Sequence, residues 1–455
     1  MLGEFTEVAR RRPVDLVAPR SATPLPPGVL RALPRPAPYA AVRAAVAPHV
    51  AAQARVDLVL ASGSDRFTAW WDPVTGAVGL EVTTGEQTST HVSRRRGRLP
   101  HRPHALALTL TGTHLTLFSG TDGTWEAHAR YDVVGRCDVR DAGWLSALEA
   151  GAPGTDGVLR DVVAGGFGQL GLRDVRWVTE TDGTPVLLDG HLVLSATSAG
   201  PGFFDTAHTS LWRLHPDTLE LVHLSDLFFS RRDAAGRVGA YGDHATHVVR
   251  DGGRWLVATS TWGDFDRATR PVRVVLAETD ADLLNGEHLL PARDLALPTD
   301  GFRSVGVWDP HLRRDATGWR VGYVSARKYF VFHPVLAAGP SLDALEVTAY
   351  DAARRATEGT TWLEVDGQLR VLASDGRDGR AGARERFVVL DEQLREVGTL
   401  DAPYPSNLPW PTVVPTADGW LMATFDGTPT GGDILGYGTH GDLVLMRSSG
   451  EAGAH

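Results

Sequence analysis

Asp182, Asp309 and Glu358 each stand beside a glycine or a proline in the C-terminal two-thirds of the chain. Two carboxyl groups that face one cavity have complementary uses, because one can donate a proton while the other activates water. A third charged group nearby raises the pKa of the donor and orients it. These residue types therefore point to general acid and base chemistry, provided that the fold brings the three positions together.

Histidines occupy comparable positions in the same region. His244 and His247 lie in one short segment, directly after Asp243, and His311 lies two residues after Asp309. Imidazole groups act as bases near neutral pH and as metal ligands. The three histidines are therefore an alternative set for proton transfer or for binding a metal ion.

The elements that must position these residues are five similar hairpins. Each has an apolar strand, a turn rich in Asp and Gly, and a second strand that ends in small or hydroxyl residues. The copies cover residues 185–198, 247–261, 311–326, 362–376 and 412–427. Recurrence at intervals of about 50 to 64 residues is typical of repeat folds. The pattern predicts an all-β chain with a five-bladed β-propeller, whose blades begin near residues 173, 237, 302, 355 and 409 and face one central cavity.

The N-terminal part has a different pattern. Residues 1–53 are rich in Pro, Ala and Arg and predict an extended segment with one short helix over 40–53. Alternating apolar and polar residues over 54–140 predict an antiparallel β-sandwich, in which residues 67–76 loosely resemble concanavalin-like jelly-roll modules. A linker with a short helix over 142–150 is expected over 141–172, and the propeller over 173–450.

Composition narrows the class of partner. The net charge is −10 over 455 residues, which argues against nucleic acid or an anionic membrane as the main partner. The sequence predicts neither a secretory signal nor a membrane span, so a cytoplasmic location is expected. Its single cysteine, Cys137, has no internal disulfide partner.

The motifs at Asp309-Pro310 and Glu358-Gly359 resemble those of the five-bladed propeller glycoside hydrolases, most closely family 43 and its clan. Each acidic residue stands nine positions before the glycine of its hairpin turn, at Gly318 and Gly367 respectively. The resemblance implies that Glu358 is the general acid and that Asp309 tunes its pKa. It also implies inverting hydrolysis of a furanoside, a xyloside or a related oligosaccharide.

The chain departs from the family pattern in two places. In blade 1 the family has an Asp, directly before a Pro, that acts as the general base, whereas the repeat alignment gives Gly183 at this position. Asp182 could be the base after a shift of one residue, or the base could be Asp243 or His244. Blade 5 reads Pro409-Trp410-Pro411 in place of the family's ion-contacting His, so no metal or other cofactor is predicted.

Aromatic and polar residues at the blade starts are expected to bind an oligosaccharide, because indole rings stack on sugar faces. The candidates are His247, His311, Trp308, Trp262, Trp410 and Arg327. Two other functions stay open. One is a non-hydrolytic carbohydrate-binding protein, and the other is a His-dependent, metal-assisted propeller lyase or hydrolase.

Overall fold

The structure is a computed structural model that describes residues 2–48, 55–121, 123–154, 157–329, 331–375, 386–404, 410–428 and 441–448. The propeller has five blades of four antiparallel strands each, and the outermost strands of blades 1 and 2 also pair in parallel with each other. The innermost strands of blades 1 to 4 contact one another in succession, and that of blade 5 contacts that of blade 1. The predicted five-bladed β-propeller is confirmed by this strand pairing. Within the described residues, no helix has the length and apolar character needed to cross a bilayer.

The strands of each blade follow one another outward from the centre. They are Leu172–Trp177, His191–Ser198, His208–Leu214 and Leu221–Arg232 in blade 1; His244–Asp251, Arg254–Ser260, Val274–Thr279 and Gly286–Asp294 in blade 2; Val307–Asp315, Gly318–Lys328, Val331–Gly339 and Glu346–Tyr350 in blade 3; Thr357–Val365, Gln368–Asp375, Arg386–Leu390 and Glu396–Thr399 in blade 4; and Thr412–Thr416, Gly419–Asp426, Asp442–Ser448 and Phe5–Arg11 in blade 5. Three short strands accompany blades 1 and 2, at Thr179–Glu180, Leu187–Leu188 and Val238–Tyr241.

Blade 5 takes its outermost strand from the N-terminus. Phe5–Arg11 pairs antiparallel with Asp442–Ser448, and Phe5 is buried between blades 4 and 5. This pairing of an N-terminal strand with a C-terminal strand closes the ring of blades. Residues 1–53, expected to be an extended and helical segment, contribute an extended strand to the propeller here.

The N-terminal sandwich consists of two six-stranded sheets that share one apolar core. One sheet contains, in order, Thr124–Asp132, His114–Thr121, Ala105–Thr111, Tyr39–Val46, Leu159–Gly165 and Thr23–Leu25; the other contains Leu30–Ala32, Glu149–Gly151, Val56–Ser62, Asp65–Trp71, Val78–Thr84 and Gln87–His91. A two-stranded ribbon of Asp15–Val17 and Phe167–Gln169 lies between the sandwich and the propeller.

The helix expected over 40–53 is wrong for the described residues, because Tyr39–Val46 is a central strand of the sandwich. Its alanines are buried on both faces of the sheet, so pairing on both edges overrides their helix propensity. The expected linker of 141–172 also contributes strands Glu149–Gly151 and Leu159–Gly165 to the sandwich. The helix expected there spans Ala142–Ser146 and is capped by Asp141.

Candidate active site

The innermost strands of four blades carry the same irregularity. Strand pairing shifts once in each of them, and the residue at the shift has a positive φ: Asp174 in blade 1 (59°), Ala245 in blade 2 (59°), Asp309 in blade 3 (55°) and Gly359 in blade 4 (91°). A β-bulge turns a side chain out of the regular alternation of its strand. Three of the four residues are not glycine, and such backbone strain clusters at functional sites.

Three carboxyl groups meet where these bulges converge. Asp174 and Asp309 occupy the bulges of blades 1 and 3, and Glu358 precedes the bulge of blade 4. Each is close enough to affect another, since Asp174 raises the pKa of Asp309 and both raise the pKa of Glu358. The sequence prediction named Asp309 and Glu358 and missed Asp174.

Asp174 is held as a carboxylate. Burial alone raises its pKa, but three neighbouring groups together bring the pKa below its ordinary value. They are His244 Nδ1 and Arg173 Nε, each 3.6 Å from Oδ2, and the Thr197 hydroxyl, which donates to Oδ2 at 2.7 Å. All three neighbours stabilise the charged form. Asp174 is therefore ionised at neutral pH and suited to accept a proton.

Glu358 and Asp309 are shifted in the opposite direction. Burial is the main cause of the rise in the pKa of each group, and the charges of the neighbouring carboxylates add to it. The Arg176 guanidinium counteracts the rise at Asp309, and the indole N–H of Trp308 lowers the pKa of Glu358 by less than burial raises it. Both carboxyl groups are therefore shifted toward the protonated form.

Arg176 connects the blades beneath the carboxylates. Its guanidinium donates to the backbone oxygen of Asp309 at 3.1 Å, to that of Gly359 at 3.3 Å and to the Thr361 hydroxyl at 2.8 Å. It also lies 5.0 Å from the centre of the Trp410 ring. Burial lowers its pKa to about 10, so it stays protonated at neutral pH. One cation thus fixes the bulges of blades 3 and 4 that carry the acidic residues.

His247 and His311 belong to this lower layer and not to the carboxylate cluster. Their rings stack 4.0 Å apart, and both are buried. His247 Nδ1 accepts the backbone N–H of Leu312 at 3.0 Å, and His311 Nδ1 accepts that of Trp362 at 3.4 Å. Burial lowers both pKa values well below the ordinary range, so the rings are neutral supports between the blades.

Asp182 lies away from the cluster, which corrects its expected role as base. Its exposed side chain accepts from the backbone N–H of Thr184 at 2.9 Å and from the Thr184 hydroxyl at 2.7 Å, closing a turn. The chain leaves the blade 1 hairpin before this turn, where Thr179–Glu180 pairs in parallel with a strand of blade 2. A count of residues back from the hairpin turn therefore ends near Asp182, within this extra segment of chain and eight residues after Asp174.

Asp243 also differs from its expected role. It is buried in a bidentate ion pair with Arg231 at 2.5 and 2.8 Å and accepts the backbone N–H of Gly263 at 2.9 Å. Its oxygens are thus occupied by a structural contact. The next residue, His244, does reach the cluster. Its ring lies between Asp174 and the backbone oxygen of Phe204, and its Nε2 is 3.1 Å from that oxygen.

The three predicted tryptophans are buried in a core cluster, which corrects the expectation that their rings are open to stack on a sugar. Trp262, Trp308 and Trp410 belong to one aromatic cluster and have exposed fractions of 6, 2 and 3%. Rings that are more open to solvent lie next to them at Phe203 and Phe204, two residues that the sequence prediction did not include.

Arg327 is partly exposed in blade 3 and donates to the backbone oxygen of Ala352 at 3.3 Å. Within the described part of the chain it makes no hydrogen bond to a carboxylate of the cluster. The described residues also contain no group of three or more His, Cys, Asp or Glu side chains arranged to hold a metal ion.

The sequence matches no protein-family model and no curated protein. Among solved structures, the chain is similar to a GH43_1 enzyme from Xanthomonas citri complexed with xylotriose, with 14% identity over 62% of this chain and 93% of the other and a TM-score of 0.41. It is also similar to an inulosucrase from Halalkalicoccus jeotgali bound to kestose, with 16% identity over 58% and 78% and a TM-score of 0.43.

A third similar structure is a family 117 glycoside hydrolase from Zobellia galactanivorans, with 10% identity over 61% of this chain and 84% of the other and a TM-score of 0.44. Likeness at this level carries no inference about chemistry, which depends on the chain's own residues.

Proposed function

We propose that the chain is a glycoside hydrolase in which Glu358 is the general acid, Asp174 the general base and Asp309 the group that keeps Glu358 protonated. The observation that carries the proposal is the position of Asp174, Asp309 and Glu358 at the bulges of three innermost strands, with the pKa lowered at Asp174 and raised at Glu358. Environments that push two carboxyl groups apart in pKa separate the roles of acid and base.

The reaction follows from these protonation states. Glu358 transfers its proton to the glycosidic oxygen while the bond from that oxygen to the anomeric carbon breaks. Asp174 accepts a proton from a water molecule, whose oxygen forms the new bond to the anomeric carbon. The products are an alcohol and a free sugar, and proton exchange with solvent restores both carboxyl groups. His244 and Thr197 are positioning residues that orient the Asp174 carboxylate.

The pH dependence of hydrolysis tests this division of roles. Activity requires Asp174 to be ionised, so it should fall as pH decreases through the lowered pKa of Asp174. It also requires Glu358 to be protonated, so it should fall as pH increases through the raised pKa of Glu358. A bell-shaped profile of kcat/KM is expected. A basic limb near the ordinary glutamate value of about 4.3 would contradict the assignment.

Inverting hydrolysis is part of the proposal, because Asp174 is assigned to water and not to the sugar. The first product observed by proton NMR during hydrolysis should have the anomeric configuration opposite to that of the substrate. Suitable substrates are aryl xylosides and arabinofuranosides, together with the corresponding oligosaccharides. A first product of retained configuration would instead make Asp174 a nucleophile.

A further inference from the structure

The loop of residues 199–207 connects the second and third strands of blade 1 and borders the carboxylate cluster. The backbone oxygen of Phe204 in this loop lies 3.1 Å from His244 Nε2, and the other ring nitrogen of His244 lies 3.6 Å from Asp174. The Phe204 ring also packs against Trp262, with ring centres 4.4 Å apart. The loop is therefore one side chain away from the assigned base.

The opposite side of the same loop rests on the N-terminal sandwich. Tyr39 donates its hydroxyl to the backbone oxygen of Ala207 at 2.8 Å, and His114 Nδ1 lies 3.2 Å from Asp205 Oδ2. His114 and Arg130 hold the pKa of Asp205 below its ordinary value even though burial raises it. The sandwich thus provides both hydrogen-bonding and ionic contacts that fix the loop.

Close packing reinforces these contacts at Gly202. A Cβ at this position would lie 2.2 Å from Arg130 Nη2, so only glycine allows the guanidinium to approach the loop. Phe203 follows directly. Its ring is 42% exposed and lies 4.2 Å from that of Phe204, so the fixed loop presents an aromatic face at the edge of the site.

The sandwich has a cleft of about 580 Å³ next to the residues that hold this loop. Arg130 and His114, which hold the loop, also line the cleft. Its other lining residues include His91 and Tyr131, whose rings stack 3.8 Å apart, and Asp132. Charged and hydroxyl groups beside rings are suited to bind sugar hydroxyls and sugar faces together.

We propose that Phe203 and this cleft form an accessory subsite for the distal units of an oligosaccharide whose reacting unit lies at Asp174 and Glu358. The inference rests on the proposed function and extends it, since it assigns the substrate class as a chain longer than a disaccharide. The sandwich then belongs to the substrate-binding surface, because it fixes the loop and supplies the cleft.

The test compares short and long ligands. Phe203→Ala and Tyr131→Ala are assayed with xylobiose and xylohexaose, and with the α-1,5-linked arabinobiose and arabinohexaose. In whichever of the two series is hydrolysed, loss of one stacking ring is expected to reduce kcat/KM for the hexaose about tenfold more than kcat/KM for the disaccharide. Tyr350→Ala is a matched control, because this tyrosine is 43% exposed on the outermost strand of blade 3. It should leave both values unchanged.

Calorimetric titration separates this inference from the proposed function. The same ligands are titrated into the Glu358→Gln variant with and without Phe203→Ala. Weaker hexaose binding with little change for the disaccharide supports the subsite, even if the wild type hydrolyses nothing and the proposed function fails. An equal effect at both lengths, or no difference between the variants, overturns the subsite whatever the wild type hydrolyses.

Discussion

Asp174→Asn is expected to lower kcat on the best glycoside substrate by roughly a hundred- to ten-thousand-fold, the contribution typical of a positioned base. Asparagine has nearly the same shape as aspartate and tolerates the positive φ of 59° at this position, so the bulge should survive. What it lacks is the negative charge that His244, Arg173 and Thr197 stabilise. The measurement is steady-state hydrolysis, with thermal unfolding to confirm that the fold is retained.

Asp182→Asn is the matched control, because Asp182 lies one residue from the position that the repeat alignment gives and its side chain is in an exposed turn. Its kcat should stay within about twofold of the wild type, as expected for a surface substitution far from the reacting groups. Loss of activity in Asp182→Asn with normal activity in Asp174→Asn would reverse the assignment.

A second variant tests whether Asp174 acts on water. Asp174→Gly relieves the positive φ and opens space beside the anomeric carbon. Azide needs no base to become a nucleophile, so adding it should restore turnover and give a glycosyl azide of inverted configuration. A glycosyl azide of retained configuration would mean that azide enters on the side of the leaving group, and it would contradict the assignment of Asp174 as the base.

The difference between Asp182, which the sequence offered as a base, and Asp174, the base that we propose, has a clear physical origin. Hairpin turns fix the register of a strand only when the chain runs straight from the turn to the blade centre, as it does at Asp309 and Glu358. In blade 1 the chain first pairs with blade 2 and closes the Asp182 turn. The other four repeats contain no such extra segment in their sequence, so the hairpin turn was an unreliable point from which to align blade 1.

A better reference lies in the bulges. The residue two positions after each bulge enters the layer below the carboxylates, at Arg176, His247, His311 and Thr361. Alignment on this pair of positions brings Asp174 into the register of Asp309. Local hydrophobic pattern was sufficient to predict the blades, whereas the N-terminal strand in blade 5 and the loop held by the sandwich depend on contacts between distant segments that no local pattern records.

Glu358→Gln should reduce hydrolysis of an unactivated oligosaccharide by roughly a hundred- to ten-thousand-fold, because glutamine has no proton to give to the leaving oxygen. Binding should be largely retained, since the amide occupies the same space beside Trp308. Glu364→Gln is the control. This residue lies on the same strand but is exposed and paired with Arg313, so its activity should be unchanged.

The leaving group determines how much of that loss appears. A 2,4-dinitrophenolate departs without protonation, so Glu358→Gln should cleave a dinitrophenyl glycoside with a much smaller loss than an oligosaccharide. The basic limb of the pH profile should also disappear, since the group with the raised pKa is gone. Equal losses on both substrates would show that Glu358 does not protonate the leaving oxygen. An unchanged basic limb would assign the retained proton to Asp309, the other member of the pair.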